Sequence, residues 1–413
     1  MCNDLTGASE RSGRTTHDAD HRGLLRDRAS GEQQVRPFEL FFDLVYVFAV
    51  MQLSHRLLDH LSLGGTAETL LLLLVVWSAW ITTAWVTNWL NPDLLPVRLM
   101  LVWVMLASLF MSAAIPDAFG DRGLMFAAAV VAIHVGRAGF AFIALRVSLE
   151  GSHPLTRTFQ RTLSWHLAAG MFWIAGGLLD GRGRYQLWGL ALTMNYAAPL
   201  IGYWVPGLGS SRTQEWMVQG LHFAERCRLF IIIALGESLL VIGATFAGGA
   251  TSTATTAAFV VAFAGSVALW WIYFHRSAEA AGQVLTSTTD SGRLARSAYT
   301  YFHLPMVAGI IAVAAADELL VAHPGDQGTP SSVALTLGGT MLFLAGHALF
   351  RWAVFHVLPW SHLVAMGVLA ILVPVGLIAP ALLLSAGACL VLVGLAVWET
   401  RPAPGRIRSP RRS

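Results

Sequence analysis

The chain has 413 residues, of which 55% are hydrophobic and only 12% charged, about half the charged share of a soluble globular protein (~25%). Its formal charge of +3 comes from 27 basic residues, all arginine, against 24 acidic ones; so small an excess gives no nucleic-acid partner. Three cysteines, Cys2, Cys227 and Cys389, are too few and too scattered for a disulfide framework or a thiolate metal site. The fold class expected is all-α: a polytopic transmembrane helical bundle.

Residues 1–36 form a polar, Arg-rich stretch with no apolar centre, expected to be a disordered cytoplasmic tail without a cleavable signal. From there, runs long enough to span a bilayer, roughly 20 residues each, fall near 38–58, 68–90, 97–115, 123–147, 160–179, 185–205, 222–247, 254–275, 298–319, 333–355, 361–379 and 380–398. That is about 12 spans, the last two separated only by a short stretch between Pro374 and Pro380. Arginines cluster in the even-numbered connections and in both tails, while Arg122, Arg182 and Arg184 lie in the others. The positive-inside rule then puts both termini on the cytoplasmic side. Residues 276–297 read as a polar linker, and 400–413 as a basic cytoplasmic tail.

The chain echoes itself. Phe38-Glu39 opens the first run and Phe223-Ala-Glu225 the seventh; span two carries Trp77, Trp80, Trp85 and Trp89, span eight Trp270 and Trp271; His134-Val-Gly-Arg137 in span four answers His347-Ala-Leu-Phe-Arg351 in span ten. The expectation is a tandem 6+6 repeat in parallel orientation, with halves at 37–206 and 207–399, related by an axis along the membrane normal.

Within these runs the ionisable residues stand out, because a carboxylate or guanidinium at membrane depth costs on the order of 3 kcal/mol or more. Glu39 and Asp43 are four residues apart and share a helix face. Glu39 sits where a first-turn carboxylate meets the positive dipole end, behind Pro37; Asp43 lies about 6 Å deeper. Glu225 and Glu237 lie in the seventh run. Glu237 falls half-way along it, beside Gly236 and Ser238, and a mid-membrane carboxylate is by default a proton or cation site. Arg137 and Arg351 are candidate partners for these acids or for an anionic substrate; the alternative is an ion pair that locks the bundle, or for Arg351 a snorkelling end.

His134, His303 and His347 lie in apolar runs and read either as packing residues or as a proton relay; none has metal-ligand spacing with another, so no metal site and no cofactor are expected. Trp77, Trp80 and Trp85, with threonines between them, read as interfacial or as an aromatic pathway. No nucleophile–base pairing or phosphate loop points to an enzyme.

Glu39-Leu-Phe-Phe-Asp43-Leu-Val-Tyr-Val-Phe-Ala with Gln52-Leu-Ser, Thr87-Asn-Trp-Leu-Asn-Pro92, Ser112-Ala-Ala-Ile-Pro-Asp-Ala-Phe-Gly120 and Glu225-Arg-Cys-Arg-Leu-Phe-Ile-Ile-Ile-Ala-Leu-Gly-Glu237-Ser, in that order, resemble the bacterial low temperature requirement protein A family. Asp117 stands where that pattern has Glu. The resemblance implies a multi-pass membrane protein linked to growth in the cold and names no substrate. A thinner likeness, Arg36 followed by Phe-Phe-Asp-Leu-Val-Tyr, is similar to the first helix of a two-repeat potassium channel family, with Phe42 in place of its Ser.

The function expected is transport of a small solute or ion, proton-linked, through membrane-depth acids in both halves. The alternatives are a cation channel and a non-transporting scaffold. Membrane lipid and an unidentified small solute or ion are the expected partners, and self-association into a homo-oligomer is left open.

Overall fold

A computed structural model describes residues 23–26, 35–149, 153–275 and 277–400. Among these the regular secondary structure is helical throughout. The order is α1 (Pro37–Asp59), α2 (Leu63–Trp89), α3 (Leu95–Ala114), α4 (Gly123–Ser148), α5 (Pro154–Gly177), α6 (Arg182–Ala197), α7 (Gly220–Gly248), α8 (Thr253–Phe274), α9 (Ala278–Ser287), α10 (Ser291–Leu294), α11 (His303–Ala322), α12 (Pro330–Val333), α13 (Gly339–Phe355), α14 (Trp360–Gly376) and α15 (Ala381–Thr400). Each of the predicted apolar runs coincides with one of these helices. Among the described residues, nine helical runs are long and apolar enough to cross a membrane: α1 to α4, α7, α8 with its continuation, Ser291–Ala322, Pro330–Phe355 and α15. The helix α5 is too polar for this test, α6 too short and polar, and α14, at 17 residues, slightly short.

Local chemistry sets the helix ends. Pro37 starts α1, Glu39 occupies its first turn and Arg56 its last, matching the helix dipole at both ends. His153 caps α5 by accepting from the Leu155 amide at 3.2 Å, ahead of Pro154. Ser252 caps α8 through the Thr255 amide at 3.1 Å. Thr329 and Ser332 form a reciprocal capping box at α12. The helix α13 stops where His356 takes up a left-handed conformation, φ 55°.

Two stretches are wound more widely than an α-helix. Ala295–Tyr301 leads into α11 and Ala334–Gly338 into α13, both as π-helix. Such turns occur mostly where a helix is bent to function.

The chain divides into two compact units. Unit one comprises Met1–Tyr46, Val75–Phe223 and Thr289–Arg293; unit two comprises Val47–Leu74, Ala224–Thr288 and Leu294–Ser413. They interleave along the chain, so they differ from the sequence halves 37–206 and 207–399; α1, α2 and α7 each contribute residues to both.

In unit one, part of the expected N-terminal tail is in place. Leu25 bridges Leu90, the Arg26 amide donates to the Trp89 carbonyl at 2.9 Å, and the Asn91 amide donates to the Leu24 carbonyl at 3.0 Å. Residues 1–22, 27–34 and the basic tail 401–413 lie outside the described residues. Buried Arg184 gathers two loops by donating to the carbonyls of Ala118 (3.1 Å), Gly120 (2.7 Å) and Leu179 (2.9 Å). A single guanidinium thus satisfies carbonyls that would otherwise be stranded in an apolar setting.

In unit two, α11 and α13 approach backbone to backbone. A Cβ on Gly309 would stand 2.5 Å from the Phe343 nitrogen and 2.6 Å from the Gly339 oxygen. Small residues at such crossings let membrane helices pack closely without a hydrophobic driving force. The α11–α12 and α14–α15 connections meet, the Gly328 amide donating to the Ala379 carbonyl at 3.2 Å. Those connections mark one face of unit two. Short connections then place the start of α11, the end of α13, the start of α14 and the end of α15 on the opposite face.

Candidate functional site

Unit one buries a continuous polar network. Glu39, in the first turn of α1, is fully buried and accepts from Arg26 Nη2 at 3.0 Å and from the Arg36 amide at 3.0 Å. The Nε2 of His222, at the start of α7, is 3.0 Å from each Glu39 oxygen. The tautomer follows from the other side of the ring. Asn88 Nδ2, a donor, is 3.0 Å from His222 Nδ1, so Nδ1 accepts and Nε2–H donates to the carboxylate. Asn88 is itself fixed by the backbone of Gln219, giving to its carbonyl at 3.1 Å and receiving its amide at 2.8 Å.

Asp43, one turn deeper, accepts from the Trp80 indole at 2.8 Å. Arg137 on α4 donates to the Ala79 carbonyl (3.1 Å), Thr83 Oγ1 (2.9 Å) and His134 Nδ1 (3.0 Å). Among the described residues it meets no carboxylate, so the expected pairing with Asp43 or Glu237 is replaced by neutral acceptors. The carbonyl of Ala79 is free to accept a second bond because carbonyl oxygens carry two lone pairs. His134 packs ring on ring with His166 of α5, centroids 4.8 Å apart. The tryptophans of α2 are packed rather than free: Trp77 on Trp80 (5.2 Å), Trp85 on Phe223 (4.9 Å).

Unit two holds a second set. His347 Nδ1 is 2.8 Å from His362 Nε2, with the rings 4.9 Å apart. Ser361 Oγ lies 3.3 Å from His362 Nδ1 and donates to Glu399 at 2.9 Å. Arg351 pairs with Glu399, not with Asp43 or Glu237, because both lie at the ends of their helices on one face. His303 donates from Nδ1 to the Ala298 carbonyl (3.0 Å), so its Nε2 accepts from the Tyr273 hydroxyl at 2.8 Å. Glu225 is partly exposed and pairs with Arg228 one turn along α7.

Glu237 differs from all of these. Its side chain is buried, 1% exposed, and neither carboxyl oxygen has a hydrogen-bond partner among the described residues. Ser238 beside it reaches Ser266 of α8 at 3.4 Å. Glu318, near the end of α11, is close enough for its charge to act on Glu237, and itself feels His55 and Asp59. Its neighbour Asp317 is also buried with one oxygen unpartnered. No group of three or more His, Cys, Asp or Glu residues among the described ones could hold a metal ion. A cavity of about 470 Å³ in unit two, walled by Leu53, Leu57, Leu70, Ile311 and Leu335, is apolar and does not include Glu237.

His166, His222, His362, Asp317, Glu318 and Glu399 were not singled out from the sequence. One signal for the two histidines exists in retrospect: Ser164-Trp-His166-Leu-Ala-Ala-Gly-Met171 and Trp360-Ser-His362-Leu-Val-Ala-Met-Gly367 occupy equivalent places, in the helix after each His/Arg pair.

The family model described as bacterial low temperature requirement A protein matches residues 34–397. The chain belongs to the low temperature requirement A family. It is a multi-pass helical membrane protein. A Rhizobium meliloti (strain 1021) member, described as uncharacterized protein RA0937, is 37% identical over 380 residues, covering 92% of each chain. No solved structure matches this low temperature requirement A protein.

Proposed function

We propose that this low temperature requirement A protein is a non-enzymatic, proton-linked transporter of a small solute or ion in the bacterial plasma membrane, with Glu237 as its charge-carrying group. The observation that carries the reading is the unpaired state of that carboxyl group. It lies 18th in the 29 residues of α7, about 25 Å from one end and about 17 Å from the other. A buried carboxylate without a hydrogen bond is expensive to keep. The cost is tolerable where the group exchanges a proton or meets a passenger during the working cycle. Glu318, whose charge acts on Glu237, extends the acidic set toward the α11–α12 face.

The finer architecture belongs to the same reading: twelve spans, with α5, α6 and α14 completing the count, both termini cytoplasmic, and a parallel 6+6 repeat. Support for the repeat comes from His134–His166 and His347–His362. Each pairs the fourth helix of a half with its fifth, at nearly equal separation and tilt, 4.8 Å and 34° against 4.9 Å and 38°. The family's low-temperature description attaches to this chain as part of the proposal.

A second reading, a non-transporting scaffold, is favoured by unit one, where Glu39 is neutralised by Arg26 and His222 in a buried setting. Reconstitution into vesicles decides between them. Under an imposed pH gradient, proton flux that disappears in Glu237→Gln supports the transporter. Wild-type vesicles no leakier than protein-free ones support the scaffold, and a large ohmic current supports a channel.

A further inference from the structure

The hydrogens of the unit-two histidine set are fixed by its end. Glu399 pairs with Arg351 and receives the Ser361 hydroxyl hydrogen at 2.9 Å. Ser361 Oγ, with its hydrogen spent, can only accept from His362 Nδ1 at 3.3 Å, and the same Nδ1 lies 3.4 Å from Glu399. His362 Nδ1 therefore carries hydrogen. In the neutral ring Nε2 is then a bare acceptor. At 2.8 Å it must receive Nδ1–H of His347. His347 Nε2 is left as a lone pair, fully buried and without a hydrogen-bond partner among the described residues. Tyr273 packs against His347 but gives its hydroxyl hydrogen to His303, which in turn donates to the Ala298 carbonyl.

We propose that His347, His362, Ser361 and Glu399 form a one-way proton relay, loaded to move a proton from the interior of unit two to the face where Glu399 lies. This rests on the proton-linked reading above and supplies its exit path. The balance closes with no other reactant. A proton bonds to His347 Nε2, and the Nδ1–H of that ring passes to His362 Nε2. The Nδ1–H of His362 passes to Ser361 Oγ as the serine hydrogen passes to Glu399 Oε1. One proton enters and one arrives on a carboxyl group that is 17% exposed. Both rings end as the opposite tautomer, so a second proton must wait until they reset. The bare Nε2 at the inner end and the partly exposed carboxyl group at the outer end set that direction.

The groups facing the pair come from every neighbouring element: Tyr273 on α8, His303 on α11, Arg351 on α13 and Glu399 on α15. None of them offers His347 Nε2 a competing hydrogen bond.

The test uses the full-length protein, labelled with ¹⁵N-histidine and placed in lipid bilayers, with His347→Gln and His362→Gln to assign signals. Both rings are expected as the Nδ1–H tautomer, the less common one for free histidine; Nε2–H at either position overturns the relay. In parallel, proteoliposomes carrying an internal pH dye are driven by a valinomycin-clamped potassium potential. His347→Gln and His362→Gln are expected to lower proton flux by roughly 100-fold, the contribution of one positioned proton-transfer group. Retention of the His303 Nδ1–H signal in the variants shows that they fold. If His347→Gln conducts like the parent while Glu237→Gln does not, the relay falls and the transporter stands. If the parent itself moves no protons, both fall.

Discussion

His222 Nε2 stands 3.0 Å from both carboxylate oxygens of Glu39, 183 positions away in the chain. Together with Arg26 it converts the costliest residue of the first helix into the centre of a buried, hydrogen-bonded network. Such a pair need not add stability relative to an apolar core, but breaking it does harm, since the remaining charge is stranded. Glu39→Ala is therefore expected to destabilise the protein by about 3–5 kcal/mol. Loss of helical circular dichroism on heating in detergent measures it; a melting curve that coincides with the parent's would contradict the network.

Asp43 tests the same idea more gently. Trp80→Phe keeps the ring and its packing and removes the indole donor at 2.8 Å. The expected cost is about 1–3 kcal/mol, the penalty for a weakened buried acceptor. Trp80→Phe that melts with the parent would mean that the indole bond is dispensable. Thermal-shift measurements on the purified variant suffice.

Glu237→Gln should behave in the opposite way from Glu39→Ala. The carboxyl has no hydrogen bond to lose among the described residues, so the stability change is expected to stay within about 0.5 kcal/mol or to favour the variant. The same substitution is expected to abolish flux. A variant that is both inactive and strongly destabilised would place Glu237 among the structural residues instead.

Gly309→Ala inserts a methyl group where the Phe343 nitrogen is 2.5 Å away. Backbone cannot yield as a flexible side chain does, so α11 and α13 must separate, at a cost of about 1–3 kcal/mol. Gly243→Ala on α7, whose Cβ would meet nothing within 4 Å, is the control expected to melt with the parent. Equal melting of the two variants would refute close packing at that crossing.

Apolar length made the helices legible: the run near 123–147 is α4 at Gly123–Ser148, and the run near 254–275 is α8. The two π-helical stretches were not legible, because nothing in the spacing of Ala295–Tyr301 or Ala334–Gly338 separates a wide turn from an ordinary helical one. Cost also made the acids legible: Glu39, Asp43 and Glu237 could be found because charge is expensive in lipid. Their partners were hidden for the converse reason. His222 and Asn88 are ordinary polar residues near helix ends, where nothing in one chain marks them as reaching across 183 or 134 positions. Arg137 misled because a guanidinium suggests a carboxylate, yet one hydroxyl, one carbonyl and one imidazole nitrogen suffice for it.

The wide turn at Ala334–Gly338 sits just ahead of His347 and Arg351 on the same rod. Rewinding it as ordinary α-helix with the same number of residues would swing everything downstream by about 100°. His347 would then face away from His362, and Arg351 away from Glu399. The wide winding of that stretch is thus as firmly dictated as any side chain, and a one-residue deletion within it is expected to be tolerated better than one in the regular helix beyond it.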